Sequence, residues 1–287
     1  MKITNKMGLD QVLVDAVMND PYDAGDSDIS VTRLIAPPRQ VALMKKHYHE
    51  IERDVSDMLF ALMGQAMHHI LERAGDPDGT RVIEKRMFAV VAGWKLSGQI
   101  DLWEGGVLSD YKFTSVWETI HGLKEEKIAQ LNILAWLCRR NGLDVDTVQI
   151  IALYRDWSRS TAKRERDYPQ GQVGILSADV WSDEKCINYI DERIRMHQEA
   201  LETLPECTEE EQWAKPTKYA LMKEGRKSAL KLEGTREELL LWANKNGHCD
   251  GNIDLKRGLY IELRPGEKTR CESYCDAAQF CSQFNGS

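Results

Sequence analysis

The chain has 287 residues, of which 42% are hydrophobic and 29% charged. That balance is ordinary for a folded globular protein and too apolar for a disordered one. No apolar run approaches the roughly 20 residues that span a bilayer, and Met1–Asp10 has no secretory apolar core, so a cytoplasmic protein without membrane contact is expected. Against 38 basic residues stand 46 acidic ones, a net charge of −8. A general histone-like binder is excluded, whereas a local basic groove beside a carboxylate-rich metal site is not.

In chain order, residues 19–28 read as a loop rich in Gly, Pro and Asp. Pro37-Pro38 stops what precedes it and can open a helix. From Gln40 to Arg73 apolar residues recur at helical spacing, which predicts one long helix or two consecutive ones. Residues 81–92, the stretch after Gly93, and 107–114 after the Gly105-Gly106 turn predict three antiparallel strands. Residues 124–140 predict a helix, 147–155 a strand and 183–203 a helix. The order implies an α/β fold with a mixed central sheet flanked by helices. Composition changes after Pro205. Residues 206–287 predict a small α+β subdomain: a hairpin over 218–233, a helix with Thr235 as N-cap and Glu238 in a capping box, a strand at 259–267 and a Cys-rich tail.

The stretch Gly98-Gln99-Ile100-Asp101, followed by Asp110-Tyr111-Lys112, carries the chemistry. A Gly-Gly turn between neighbouring strands can bring Asp101 and Asp110 together, and Asp110 and Lys112 share a strand face. Two carboxylates suit a hard divalent cation such as Mg²⁺ or Mn²⁺, and a lysine can orient water or stabilise developing negative charge. Taken singly, an Asp-x-Lys is usually a pair of surface charges. Upstream, His68 and Glu72 lie four apart on a predicted helix, and a neutral imidazole can ligate metal.

Gly64-x3-His68-x2-Leu71-Glu72, an acidic strand, Gly98-x2-Asp101, Asp110-x-Lys112 and a helix with Gln130 together resemble the RecB-like nucleases of the PD-(D/E)XK superfamily. The match runs from about Ile29 to Ala135. The segment Ser30-x-Thr32-x-Leu34-Ile35-x-Pro37-Pro38-Arg39 is similar to phage-encoded single-chain members. The resemblance implies a PD-(D/E)XK core over 1–205 and a metal-dependent DNA exonuclease, with phage or host recombination proteins or a second copy as partners. It further implies His68, Asp101, Asp110 and the Tyr111 carbonyl as metal ligands, Lys112 as activator of the attacking water, and Gln130 as a DNA-orienting residue. Glu84 is either a helper acid or a solvated strand residue. The sequence departs from the family's Gln-x3-Tyr at Leu134. Two alternatives stand beside the exonuclease: a non-catalytic DNA-end-binding module, and a CRISPR-associated type with an iron–sulfur cluster.

Of seven cysteines, Cys271, Cys275 and Cys281 crowd the tail. Such clustering suits structural zinc or an iron–sulfur cluster, or else packed, reduced thiols. Relatives of the CRISPR-associated and AddB type close a cluster with an early cysteine before a Pro-Arg. Here that stretch, Ala36–Arg39, has none, so Cys249, or His248 beside it, is the expected fourth ligand. Cys138, Cys186 and Cys207 are expected to be ordinary packed residues. Two basic stretches can track phosphates: one includes Arg155, with Trp157 for base stacking. The other includes Lys218, Arg226 and Lys227, with Tyr219. Solvated faces are the plainer account of both.

Overall fold

The structure, a computed structural model, describes residues 1–20, 25–251 and 253–286. The chain divides into two units, Met1–Pro205 and Glu206–Ser287. Among the described residues no helix is long and apolar enough to cross a membrane. The loop expected at 19–28 lies partly outside the described residues.

The first unit is a mixed α/β structure. In chain order it comprises β1 (Lys2–Thr4), α1 (Gln11–Met18), β2 (Ile29–Ser30), α2 (Val31–Ile35), α3 (Pro38–Lys46), β3 (Glu52–Asp54), α4 (Leu59–Glu72), β4 (Arg81–Val91), β5 (Trp94–Glu104), β6 (Val107–Thr114), α5 (Trp117–His121), α6 (Glu125–Arg140), β7 (Thr147–Tyr154), α7 (Arg159–Arg164), β8 (Val173–Ala178) and α8 (Asp183–Thr203). The central six-stranded sheet runs β2-β5-β6-β7-β8, and β4 pairs with β5 from Arg81 to Val91 except at Glu84. β6 and β7 are parallel; β4–β5, β5–β6 and β7–β8 are antiparallel.

One strand edge positions everything that follows. β5 pairs on one side with β4. On its other side it pairs in parallel with β2 at Leu96 and Ser97, then antiparallel with β6 from Leu102 to Glu104. Between Ser97 and Leu102 no ladder is formed on that side, so the sheet forks there. α6 packs its apolar face on the sheet, with Leu131, Leu134, Leu137 and Cys138 buried in one core with Leu96, Ile100 and Ile150.

The single or double helix expected over 40–73 is broken. α3 begins at Pro38, whose fixed φ and missing N–H suit a first-turn position. It ends at Lys46, and the chain turns to form β3, which pairs in parallel with β1. The break follows from Asp54, whose carboxylate accepts bonds from the Thr4 hydroxyl (2.9 Å), the Lys6 amide (2.7 Å) and the Ser56 amide (3.1 Å) and hydroxyl (2.7 Å). The Lys6 and Ser56 donors hold it well below the usual carboxylate range. Satisfying that buried carboxylate needs extended backbone where apolar spacing alone suggested helix.

In the second unit, β9 (Ala214–Lys215), β10 (Lys218–Lys223), β11 (Lys231–Glu233), α9 (Arg236–Lys245), β12 (Cys249–Asp250), β13 (Asp254–Leu255), β14 (Leu259–Arg264) and β15 (Glu267–Lys268) precede two short helices, α10 (Thr269–Ser273) and α11 (Ser282–Asn285). β10 is flanked by β11 and β14. Thr235 and Glu238 close a capping box on α9, whose Leu239 and Ala243 pack on Leu221.

Two tests follow. A Cβ at Gly98 would stand 2.6 Å from Leu134 Cδ2, 2.8 Å from Leu137 Cδ1 and 2.9 Å from Val31 Cγ2. Gly98→Ala should therefore cost about 1–3 kcal/mol of unfolding free energy by overpacking, with partial recovery in Gly98→Ala/Leu134→Ala. His197 on α8 is 3% exposed and donates from Nε2 to the Leu34 carbonyl at 3.0 Å. Burial, aided by nearby Arg193 and opposed by the Leu34 bond, lowers its pKa to about 4. A base depressed on folding stabilises the protein above its unfolded value near 6.5 and loses that contribution as pH falls toward 4. Urea titrations at pH 7 and pH 4.5 should show a pH-dependent loss about 2–3 kcal/mol larger in the wild type than in His197→Gln.

Candidate metal centre

The fork in the sheet gathers the acidic residues. Glu84 on β4 falls between the ladder pairs Ile83–Leu102 and Lys85–Ile100, directly across from Asp101. Asp110 is the next residue of β6 beyond the Ser109–Leu102 pair, on the other side of Asp101. Three carboxylates therefore occupy one line across three adjacent strands. The line could not close as an ordinary ladder. Glu84 has φ +47°, a left-handed conformation that costs a non-glycine residue on the order of 1–2 kcal/mol.

His68 reaches this line from α4. Its Nδ1 lies 3.0 Å from Glu84 Oε1 and 3.7 Å from Asp101 Oδ1. His68, Glu84 and Asp101 each offer one ligand atom, all within 4.8 Å of one another, and form the one such group among the described residues. His69 is turned away toward Glu72 at 3.7 Å, so Glu72 serves His69 and not His68. Gln99 Nε2 donates to Glu84 Oε2 at 2.7 Å, and Arg86 donates to Gln99 Oε1 at 2.9 Å, which fixes the orientation of the Glu84 carboxylate.

Asp101 has two tasks. Its Oδ2 accepts the Tyr111 amide at 2.7 Å, closing the fork, while Oδ1 faces His68. Burial and the neighbouring Asp110 push its pKa up to about 7, against the pull of Lys112, His68 and the Tyr111 amide. Asp110 is 4% exposed. Its oxygens lie 2.9 and 2.7 Å from Lys112 Nζ. Burial works against the Lys112 charge, but Asp110 and Asp101 outweigh it and its pKa is raised. The ammonium is therefore held protonated. Burial disfavours the Glu84 charge too, yet the bonds from His68 and Gln99 prevail and its pKa is lowered. The His68 pKa is raised, chiefly by its bond to Glu84.

The ligand group contains two of the expected ligands, His68 and Asp101, with Glu84 beside them, and Asp110 pairs with Lys112. Tyr111 contributes its amide to Asp101. One imidazole among carboxylates can hold a divalent cation. Three carboxylates against one lysine and one histidine leave negative charge for it to neutralise. The resemblance marked Glu84 only as a helper acid or a solvated residue, and its positive φ is not legible from residue type.

None of the remaining expected residues belongs to the His68, Glu84 and Asp101 ligand group. Gln130 is half-buried on α6. Leu134, at the expected tyrosine position, is 3% exposed and packs over Gly98. Trp157 is not free for stacking: its Nε1 donates to the Pro169 carbonyl at 2.7 Å and its ring packs on the core. Arg155 is exposed and lies over the Phe60 ring, 4.8 Å from its centroid. Lys218, Arg226 and Lys227 are exposed in the second unit, where half-buried Tyr219 packs on the Leu221 core.

The cysteines form no ligand group within 4.8 Å among the described residues. Cys249, half-buried, packs against the Leu221, Leu239 and Ala243 core. Cys271, Cys275 and Cys281 do influence one another: burial raises the pKa of Cys271 and Cys275, and the neighbouring cysteines add to it. Cys207 is tied to that segment instead. Gln283 accepts from its amide at 2.9 Å and donates to its carbonyl at 2.8 Å.

No known protein family matches the chain, and no curated protein does. The solved structure of SSO0001 is similar over 66% of this chain and 85% of its own, at 16% identity and a TM-score of 0.45. That likeness is too distant to carry an argument.

If Glu84 is held in a left-handed conformation for its carboxylate, the usual order of small residues in a strand should invert. Glu84→Gly should unfold about 1 kcal/mol later than Glu84→Ala, whereas a regular strand position favours alanine. Both variants should bind Mn²⁺ at least about tenfold more weakly than wild type by titration calorimetry.

Proposed function

We propose that this chain is a divalent-metal-dependent deoxyribonuclease of the PD-(D/E)XK kind, acting as an exonuclease. The observation that carries the proposal is the line of Glu84, Asp101 and Asp110 across three adjacent strands, with His68 above it and the Lys112 ammonium at its end. The mixed sheet, with its forked strand and a flanking α6, fits the core that the resemblance implies. The exonuclease assignment rests on the resemblance to RecB-like enzymes.

His68, Glu84 and Asp101 would hold an Mg²⁺ or Mn²⁺ ion, with Asp110 at the next register position. A bound cation supplies positive charge that polarises a phosphodiester and eases deprotonation of a water. The chain's own residues do the rest. Lys112, kept charged by Asp110, can donate to the attacking water or to a phosphoryl oxygen as negative charge develops there. Because it stays protonated it is not the general base. Arg86 and Gln99 hold the Glu84 carboxylate in place. In hydrolysis the attacking water gives a proton to solvent, its oxygen bonds to phosphorus, the ester bond on the opposite side breaks, and the departing alkoxide takes a proton from solvent.

End-labelled linear DNA beside covalently closed circular DNA, incubated with Mg²⁺, Mn²⁺ or chelator, tests this. Metal-dependent loss of the linear substrate alone is expected. Lys112→Ala and Asp101→Asn should each lower the rate about a hundredfold or more while keeping the wild-type circular dichroism spectrum. Cutting of the circle would make the enzyme an endonuclease, and undiminished cleavage by either variant would remove this site from the chemistry.

A further inference from the structure

The helix that delivers His68 has an unusual surface. No residue of α4 is buried, and Phe60 and Met63 in its first half are 61% and 49% exposed. Gly64 lies between Phe60 and His68, and a Cβ there would meet nothing within 4 Å. An open track about 12 Å long therefore runs along α4 from Phe60 to His68, at 1.5 Å per residue.

The far end of this track is lined with flat, charge-bearing groups. Arg155 continues from β7, its amide bonded to the Thr114 carbonyl at the end of β6, and its guanidinium lies over the Phe60 ring. Just beyond β6, Trp117 is 65% exposed. One face of its indole is covered by His121, with centroids 3.6 Å apart and planes at 22°. That stack holds the ring in place and leaves its other face open. Nearby acids are already engaged: Glu118 by Lys127 and the Thr114 hydroxyl, and Asp156 by Ser115 and the Val116 amide. Arg155 makes no ion pair among the described residues, which leaves its charge available to a phosphate.

Resting on the nuclease reading, we infer that Phe60, Arg155 and Trp117 form a stacking platform that feeds single-stranded DNA along α4 to the metal centre. Bases of a single strand expose their faces to a fixed aromatic ring, whereas those of a duplex are already stacked on one another. A cation on an aromatic surface matches a polyanion with apolar bases, and a few nucleotides span the distance from Phe60 to His68.

Fluorescence anisotropy of a labelled 12-nucleotide oligothymidylate and of the same strand in a duplex, both in chelator, separates binding from cleavage. The single strand should bind at least about tenfold tighter. Trp117→Ala and Phe60→Ala should each weaken it roughly five- to a hundredfold, a span set by base–aromatic stacking, and Trp117→Phe should restore most of it. Duplex binding as tight as that of the single strand would overturn the platform, as would unchanged affinity in both alanine variants. So would a dimer, seen by sedimentation, that Phe60→Ala dissolves, since that would assign the face to a second copy. Binding that follows these expectations without any cleavage in Mg²⁺ or Mn²⁺ would sink the nuclease reading and leave the platform standing.

Discussion

The bond from the Tyr111 amide to the Asp101 carboxylate governs this site. Where β5 changes partner from β2 to β6, backbone groups on the opening edges lose their ladder partners, and an unpaired buried amide is costly. A side chain fills that role here: Asp101 Oδ2 takes the Tyr111 N–H at 2.7 Å. The same carboxylate then has one oxygen left, and it faces His68. Structural and chemical duties are divided between two atoms of one residue. The fork cannot close without the acid, and the acid cannot be placed without the fork.

From that fixed point the other charges follow. Asp110 stands beside Asp101 one register step past the ladder, and two buried carboxylates so close repel. Lys112 answers on one side by pairing with Asp110, and His68 on the other by approaching Asp101 and Glu84. Glu84 is drawn in at the expense of its backbone, which leaves the strand conformation at φ +47° while its neighbours keep their pairs with β5. The strain at this one residue of an otherwise regular strand accompanies the contact of its carboxylate with His68. The Arg86–Gln99–Glu84 series of bonds makes that side chain rigid as well as present.

Much of this was legible in the residues. The three-strand meander, α6 and α8 follow from periodicity, and the Thr235–Glu238 box follows from capping chemistry. Asp101, Asp110 and Lys112 could be singled out because a turn of two glycines sets the register between their strands. Other features depend on distant partners and leave no local trace. The break after α3 is set by Asp54 reaching back to Thr4 and Lys6, some fifty residues earlier. That Glu84 joins the ligand group while Asp110 meets Lys112 turns on a backbone angle and on which carboxylate the lysine reaches. Cys249, singled out because no cysteine stands at the early position, packs against the apolar core of α9. Cys207, which sequence alone marks as ordinary, is the one whose backbone is bound to the tail.

Leu134 shows how a departure from a family pattern can be structural. Its side chain fills the space left by the absent Cβ of Gly98, alongside Leu137 and Val31. Glycine on β5 and leucine on α6 are therefore matched: the close approach of helix and strand needs the one, and filling the gap needs the other. A tyrosine would have to abandon this packing or carry its hydroxyl into a dry core without a partner. Any base stacking or phosphate binding that a tyrosine would supply at that helix position must then come from elsewhere. Phe60 on α4 and Trp117 on α5 are exposed rings. On the proposed reading, the contact that this core-facing position does not supply falls to the rings that pack against Arg155 and His121.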